Sequence, residues 1–286
     1  IDSGNDGGGN RRHLSWDFWL RYCEAHCCFP CLKCRLCGGM RGKMIIDIHS
    51  HIGCNYVPRE EEEERLIADM KKNGIDKRVV SSISMPYEEG NRYVSELVSR
   101  HKDCLVGCAV INPKEADCRE KVLEALSLPG IAMLELNSLE DSYYPDICPG
   151  VEEVMQAAAE KKVPVKVFSG LGARAIPWQW VKHVKNHPEL EFIFLHMGCF
   201  DYGYGCVELA KEYSNIWLET SNQYEVQILK KVLMTVSEDK VLFGSMYPER
   251  FTRCSLDVFD TLRPKEEWKK AWLGGNAERL FAKHMD

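Results

Sequence analysis

From residue 44 onward, short β-branched runs alternate eight times with stretches of helical apolar spacing. That alternation leaves few folds open, because strands separated by helices pair in parallel through crossover connections. The predicted strands fall at 44–48, 78–84, 104–111, 131–136, 163–168, 191–196, 216–219 and 240–243. Most are nearly continuous apolar runs, as expected of strands buried on both faces. Amphipathic stretches at 65–72, 91–100, 151–161, 207–213 and 226–236 supply intervening helices. Eight such units fit a closed barrel of about 250 residues better than an open sheet. The expected fold is α/β, a (β/α)8 TIM barrel over 44–286, preceded by a Cys-rich N-terminal extension over 1–43.

Composition narrows the partners. A net charge of -6 gives no electrostatic reason to expect nucleic acid or an anionic membrane surface. No run of 18 apolar residues is present, so no transmembrane helix is expected. The opening IDSGNDGGGNRRHLSWDF lacks the uninterrupted apolar core of a secretory signal. The expected setting is therefore a reducing cytoplasm, and the expected partner a small-molecule substrate, with homodimerisation left open.

The 14 cysteines divide into a cluster (Cys23, Cys27, Cys28, Cys31, Cys34, Cys37) and eight scattered through the barrel. The eight are expected to be free thiols, with Cys104, Cys108, Cys199 and Cys206 serving as small hydrophobes. For the cluster, the preferred reading is a disordered or loosely helical extension, and the alternative is zinc or iron–sulfur ligation. The run Glu60 to Glu64 follows Pro58 and reads as a solvated first turn of a helix. Trp178 and Trp180 are expected to pack the helix after the fifth strand against the barrel.

The stretch Ile45-Ile46-Asp47-Ile48-His49-Ser50-His51 carries the most chemistry. Alternate residues of a strand share a face, so Asp47, His49 and His51 are expected to point the same way. Two imidazoles at that spacing can bind a divalent ion, and taken alone they can equally be ordinary histidines leaving a strand. Their place at the end of the first strand of the barrel, where such folds keep their active sites, favours the metal.

The chain resembles the amidohydrolase superfamily, in its amidohydrolase-related (family 2) branch, from about Met44 to the end. IIDIHSHIG resembles the first strand of that branch, FIFLHMG at 192–198 the sixth, LETS at 218–221 the seventh and VLFGSMYP at 241–248 the eighth. GGNAERLF at 274–281 resembles its closing helix. The resemblance implies that His49 and His51 bind metal and that His196 binds a second metal or works on the substrate. Two positions depart from the pattern. Phe168 stands where a histidine is usual after the fifth strand, and Met246 where the eighth strand supplies an aspartate. Neither side chain can ligate a hard divalent ion or act as a base. Glu135, ending the fourth strand, is the expected fourth ligand and a candidate for proton transfer with His196. The alternative for Glu135 is a pair with Arg174 or Lys166.

The set His49, His51, Glu135 and His196 is chemically adequate for a divalent metal, expected to be zinc. Arg174, in the Gly170–Leu171–Gly172 loop, and Tyr247 are the expected substrate contacts. Tyr202, Tyr204 and Arg250 sit in equivalent loops and read individually as surface residues. The expected function is a metal-dependent hydrolase acting on a small carbonyl or carboxylate compound. A decarboxylase of the same branch, or a non-catalytic barrel that binds small molecules, are the alternatives.

Overall fold

A computed structural model describes residues 44–284. The expected extension over 1–43, with its cysteine cluster, lies outside the described residues. Eight strands form one parallel sheet in sequence order: β1 (Ile46–His51), β2 (Lys77–Ser81), β3 (Leu105–Val110), β4 (Ile131–Leu136), β5 (Val165–Val167), β6 (Phe192–Phe194), β7 (Ile216–Glu219) and β8 (Val241–Leu242). Backbone bonds from Ile48 N to Phe243 O (2.9 Å) and from His51 N to Tyr247 O (2.6 Å) join the last strand to the first. The chain is a (β/α)8 TIM barrel. β4 and β7 match their predicted limits, while β5, β6 and β8 are shorter than predicted at both ends.

The helices that bear on the site are α1 (Arg59–Asn73), α2 (Tyr87–Arg100), α3 (Cys118–Ser127), α4 (Pro149–Lys161), α5 (Val181–Asn186), α6 (Cys199–Glu212), α7 (Val226–Thr235), α8 (Thr252–Leu262), α9 (Glu266–Lys270) and α10 (Asn276–His284). Strand alternation sorts two cores. Leu134, Leu136, Val165, Val167, Phe192 and Phe194 face the helices. Ile46, Ile48, Val79, Val106, Cys108, Met133, Ile193, Trp217 and Leu242 fill the lumen, whose lower end is closed by Ala277 and Leu280 of α10. At about 25 cal/mol per Å² of apolar surface removed from water, these layers supply the main driving force for folding.

One irregularity corrects the sequence reading. The β1–β2 register slips between Asp47 and Ser50, a bulge that gives β1 an extra residue. Ile48 and His49 consequently both serve the inner side, and Asp47 does not share the histidines' face. Asp47 instead takes Arg78 Nε at 2.9 Å and Ser245 Oγ at 2.5 Å, while Arg78 also reaches Asp69 of α1 and Thr252 of α8. The acidic first turn is also more than a solvated face. Glu62 is buried and accepts Gly53 N (2.6 Å), Cys54 N (3.1 Å) and Tyr93 Oη (3.0 Å), pinning the loop after β1.

Trp180 is fully buried and donates to Phe168 O at 3.1 Å, as its expected packing role requires. Trp178 is half exposed and lies over Gly205, where a Cβ would collide with its ring. The eight barrel cysteines are all free, and Cys108, Cys199 and Cys206 are buried. No helix among the described residues is long and apolar enough to cross a membrane.

Candidate metal centre

His49 and His51 come to the upper lumen from β1, and their Nε2 atoms stand 3.1 Å apart. Glu135, pointing inward from β4, places Oε1 3.6 Å from His51 Nε2 and 3.9 Å from His49 Nε2. A tetrahedron with metal–ligand bonds of about 2.1 Å has an edge of about 3.4 Å, so these separations bracket those of three ligands on one ion. All three side chains are almost completely buried.

Each imidazole is held from behind. His51 Nδ1 lies 3.0 Å from Glu249 Oε2, in the loop after β8. His49 Nδ1 lies 3.0 Å from Ser221 Oγ and 3.3 Å from Glu219 Oε2, at the end of β7. Ser221 Oγ donates its one hydrogen to Glu219 Oε2 at 2.7 Å, so it can only accept from the ring nitrogens around it. His196 Nδ1 also meets Ser221 Oγ, at 2.9 Å. This bond set places the ring hydrogens of His49 and His196 on Nδ1 and leaves both Nε2 lone pairs free. A carboxylate behind a histidine fixes the tautomer needed for metal ligation.

The electrostatics agree with a cation at this point. Burial opposes charge on His51, yet Glu249 and Glu135 outweigh it and hold the imidazolium up to about 9. Its Nε2 hydrogen then occupies the space shared with His49 Nε2 and Glu135 Oε1, where the ion would sit. Burial, with Lys166 and His51 nearby, drives His49 well below its ordinary value. Burial and His49 lower His196 to about 3. Both are therefore neutral, as ligands must be.

Glu135 does not choose between its two expected roles. Its Oε2 lies 2.7 Å from Lys166 Nζ and accepts from Ser81 Oγ at 2.8 Å, while Oε1 faces the histidines. Burial would raise Glu135, but Lys166 and His51 hold it well below the carboxylate range. Burial would lower Lys166, and Cys108 and Glu135 more than offset that. The pair is ionised inside the barrel, and Arg174 takes no part in it.

The four expected ligands do not converge as one group. His49, His51 and Glu135 form one cluster, and His49, His196 and Glu219 a second that shares His49. His196 sits on a turn in which His196, Met197, Gly198 and Cys199 all have positive φ (61°, 46°, 75° and 49°). Three of these are non-glycine residues held in the left-handed region, a strain that such sites store. Phe168 packs its ring edge-on against His196 with centroids 5.2 Å apart, filling with carbon the place of the usual histidine. Met246, at φ 57°, has its backbone N–H on His49 O at 2.8 Å. The half-buried Tyr247 lies beneath the Arg78 guanidinium at 4.8 Å and lines a recess with His51. Arg174 donates to Ser142 Oγ at 3.3 Å, in the loop after β4.

Glu219, Ser221 and Glu249 escape the sequence reading. For Glu219 a signal exists, since it alternates with Trp217 on the inward face of a buried strand, where an acid needs a reason. Glu249 follows Pro248 in an irregular loop with no period to read.

The family model described as Amidohydrolase matches residues 46–283. Among curated proteins, none matches this sequence. Three similar solved structures represent three activities. A dihydroxybenzoic acid decarboxylase from Polaromonas sp. JS666, with bound manganese and the inhibitor 2-nitroresorcinol, is 16% identical over 84% of this chain and 97% of its own, with a TM-score of 0.66. A probable 2-pyrone-4,6-dicarboxylic acid hydrolase from Acinetobacter baumannii is 14% identical over 83% and 99%, with a TM-score of 0.65. A 4-oxalomesaconate hydratase from Rhodopseudomonas palustris is 18% identical over 84% and 96%, with a TM-score of 0.65. At these identities the likeness carries the fold.

Proposed function

The chain belongs to the amidohydrolase family, and we propose that it is a metal-dependent enzyme acting on a small carbonyl or carboxylate compound. The observation that carries this reading is the convergence of His49 Nε2, His51 Nε2 and Glu135 Oε1, each backed by a residue that fixes its charge or tautomer. These three side chains would hold a divalent ion, zinc by their nitrogen and carboxylate chemistry, with manganese found in one similar barrel. Bound there, such an ion polarises a carbonyl oxygen and acidifies water.

The protein's own groups divide the remaining work. Glu249 and Glu219 orient the two imidazoles. Lys166 keeps Glu135 ionised and fixes which of its oxygens faces the histidines. His196, neutral and hydrogen-bonded through Nδ1, offers its Nε2 lone pair as a further ligand or proton acceptor. Tyr247, which lines a recess with His51, is the substrate contact from the loop after β8.

Hydrolysis is the first reading. Decarboxylation is the second, favoured by Met246: without an acid ending β8, no carboxylate there takes the proton of an attacking water, a step decarboxylation does not require. Similar barrels include both activities.

Metal-reconstituted full-length protein, assayed against small lactones, amides and carboxylated aromatics, separates the readings. Acid release in a pH-stat marks hydrolysis, and CO2 release marks decarboxylation. The expected result is one of these, abolished by H49N. Turnover indifferent to H49N contradicts the proposal.

A further inference from the structure

Four loops of the mouth border a second recess, lined by Leu171 after β5, Cys199 and Phe200 after β6, Asn222, Tyr224 and the carboxylate Glu225 after β7, and Arg250 after β8. Three of these walls are close chain neighbours of centre residues. Arg250 follows Glu249, which holds His51, Asn222 follows Ser221, which holds His49 and His196, and Cys199 ends the strained turn that begins at His196. The recess is therefore built from the same loops that carry the residues of the centre.

Arg250 is its distinctive group. Its Nε donates to Asn222 Oδ1 at 3.1 Å and its Nη1 to Glu249 O at 2.9 Å. Both acceptors are neutral, and among the described residues no carboxylate pairs with it within 4.0 Å. Of the other arginines near the mouth, Arg78 pairs with two aspartates and Arg65 with Glu61, while Arg174 bonds to Ser142. Asn222 is itself fixed, with φ 56° and its Nδ2 directed at Cys199 Sγ at 3.6 Å, and the adjacent Gln223 ties to Cys199 O at 2.9 Å. Among the described residues, Nη2 of the exposed Arg250 has no partner, on a guanidinium already held at Nε and Nη1. A guanidinium already held through Nε and Nη1 loses little freedom when its remaining Nη1 and Nη2 hydrogens meet a planar carboxylate in two parallel bonds.

The walls suit an apolar, planar body. Phe200, Tyr224 and Leu171 are 62%, 40% and 43% exposed around the recess, a concentration of bare apolar surface at one mouth. Aromatic faces with one directed cation are a common way to recognise a small organic acid.

We propose that Arg250 is the specificity-determining anchor for a carboxylate of the substrate, with the apolar body of that substrate against Phe200 and Tyr224. This rests on the reading of the lumen as the reaction centre, and it assigns to Arg250 the anchoring role expected of Arg174.

Binding of benzoate and of its neutral counterpart benzamide to the full-length protein, measured by calorimetry with and without added Zn²⁺, tests the assignment. In the wild type, benzoate binds at least about tenfold more tightly than benzamide. R250Q abolishes that preference and R250K keeps part of it, because an ammonium lacks the bidentate fork, while R174Q leaves it intact. An unchanged preference in R250Q, no preference in the wild type, or a preference lost in R174Q instead overturns the proposal. Zn²⁺ uptake is read in the same titrations. Failure of Zn²⁺ to bind, with an R250Q-sensitive benzoate preference preserved, sinks the metal reading and leaves Arg250 in place.

Discussion

Glu249 Oε2 lies 3.0 Å from His51 Nδ1, across nearly the whole length of the barrel sequence. The contact couples the loop after the last strand to the end of the first, and it sets both the orientation and the charge of a metal-ligand candidate. Removing a carboxylate behind a ligating histidine commonly costs about 10–100-fold in metal affinity. E249Q is therefore expected to bind Zn²⁺ about 10–100-fold more weakly while melting as a folded protein, measured by competition with a chromophoric chelator. Unchanged affinity contradicts the role of Glu249.

The charge on His51 makes metal uptake pH-dependent. Its folded-state value is raised, from 6.5 to about 9, with Glu249 and Glu135 outweighing burial. The stability that this proton contributes to the metal-free protein is fully present below 6.5 and is lost as pH rises through about 9. A metal must displace the proton, so affinity is expected to climb about tenfold per pH unit across that window and level off above it. Calorimetry at pH 7 in buffers of different ionisation enthalpy is expected to show release of about one proton. No proton release contradicts the arrangement.

Lys166 and Glu135 are an ion pair inside the barrel, 2.7 Å apart and nearly without exposure. Breaking such a pair strands a charge and commonly costs about 3–5 kcal/mol. K166M is expected to lose stability of that order in urea denaturation, and K166M/E135L to recover most of it. A K166M as stable as the wild type contradicts the ionised pair.

Met246 holds a left-handed conformation, φ 57°, which aspartate tolerates better than a long side chain. M246D is expected to fold and to bind Zn²⁺ more tightly than the wild type, by tenfold or more, since it returns a hard ligand to the end of β8. Equal or weaker binding shows that the centre is organised around its present residues.

The barrel was legible because eight buried strands each write a continuous apolar run, and a helix separates each from the next. His49, His51, Glu135 and His196 were legible as candidates because each ends such a run, and the structure divides them between two clusters that share His49. The groups that give those four their chemistry were not. Ser221 and Glu219 meet His49 from some 170 residues away, and no local pattern announces a contact of that span. The bulge in β1 defeated simple alternation and turned Asp47 from the histidines to Arg78. Lys166 of β5 meets Glu135 of β4, a contact between strands that local pattern offers only as one alternative beside Arg174.

The most direct test is the metal content of the purified full-length protein, taken after incubation with Zn²⁺ and desalting, beside H49N/H51N treated identically. The expected result is close to one ion per chain in the wild type and essentially none in the double variant, with both folded by circular dichroism. A wild type that retains no ion, or a double variant that retains as much, contradicts a cation held between His49, His51 and Glu135.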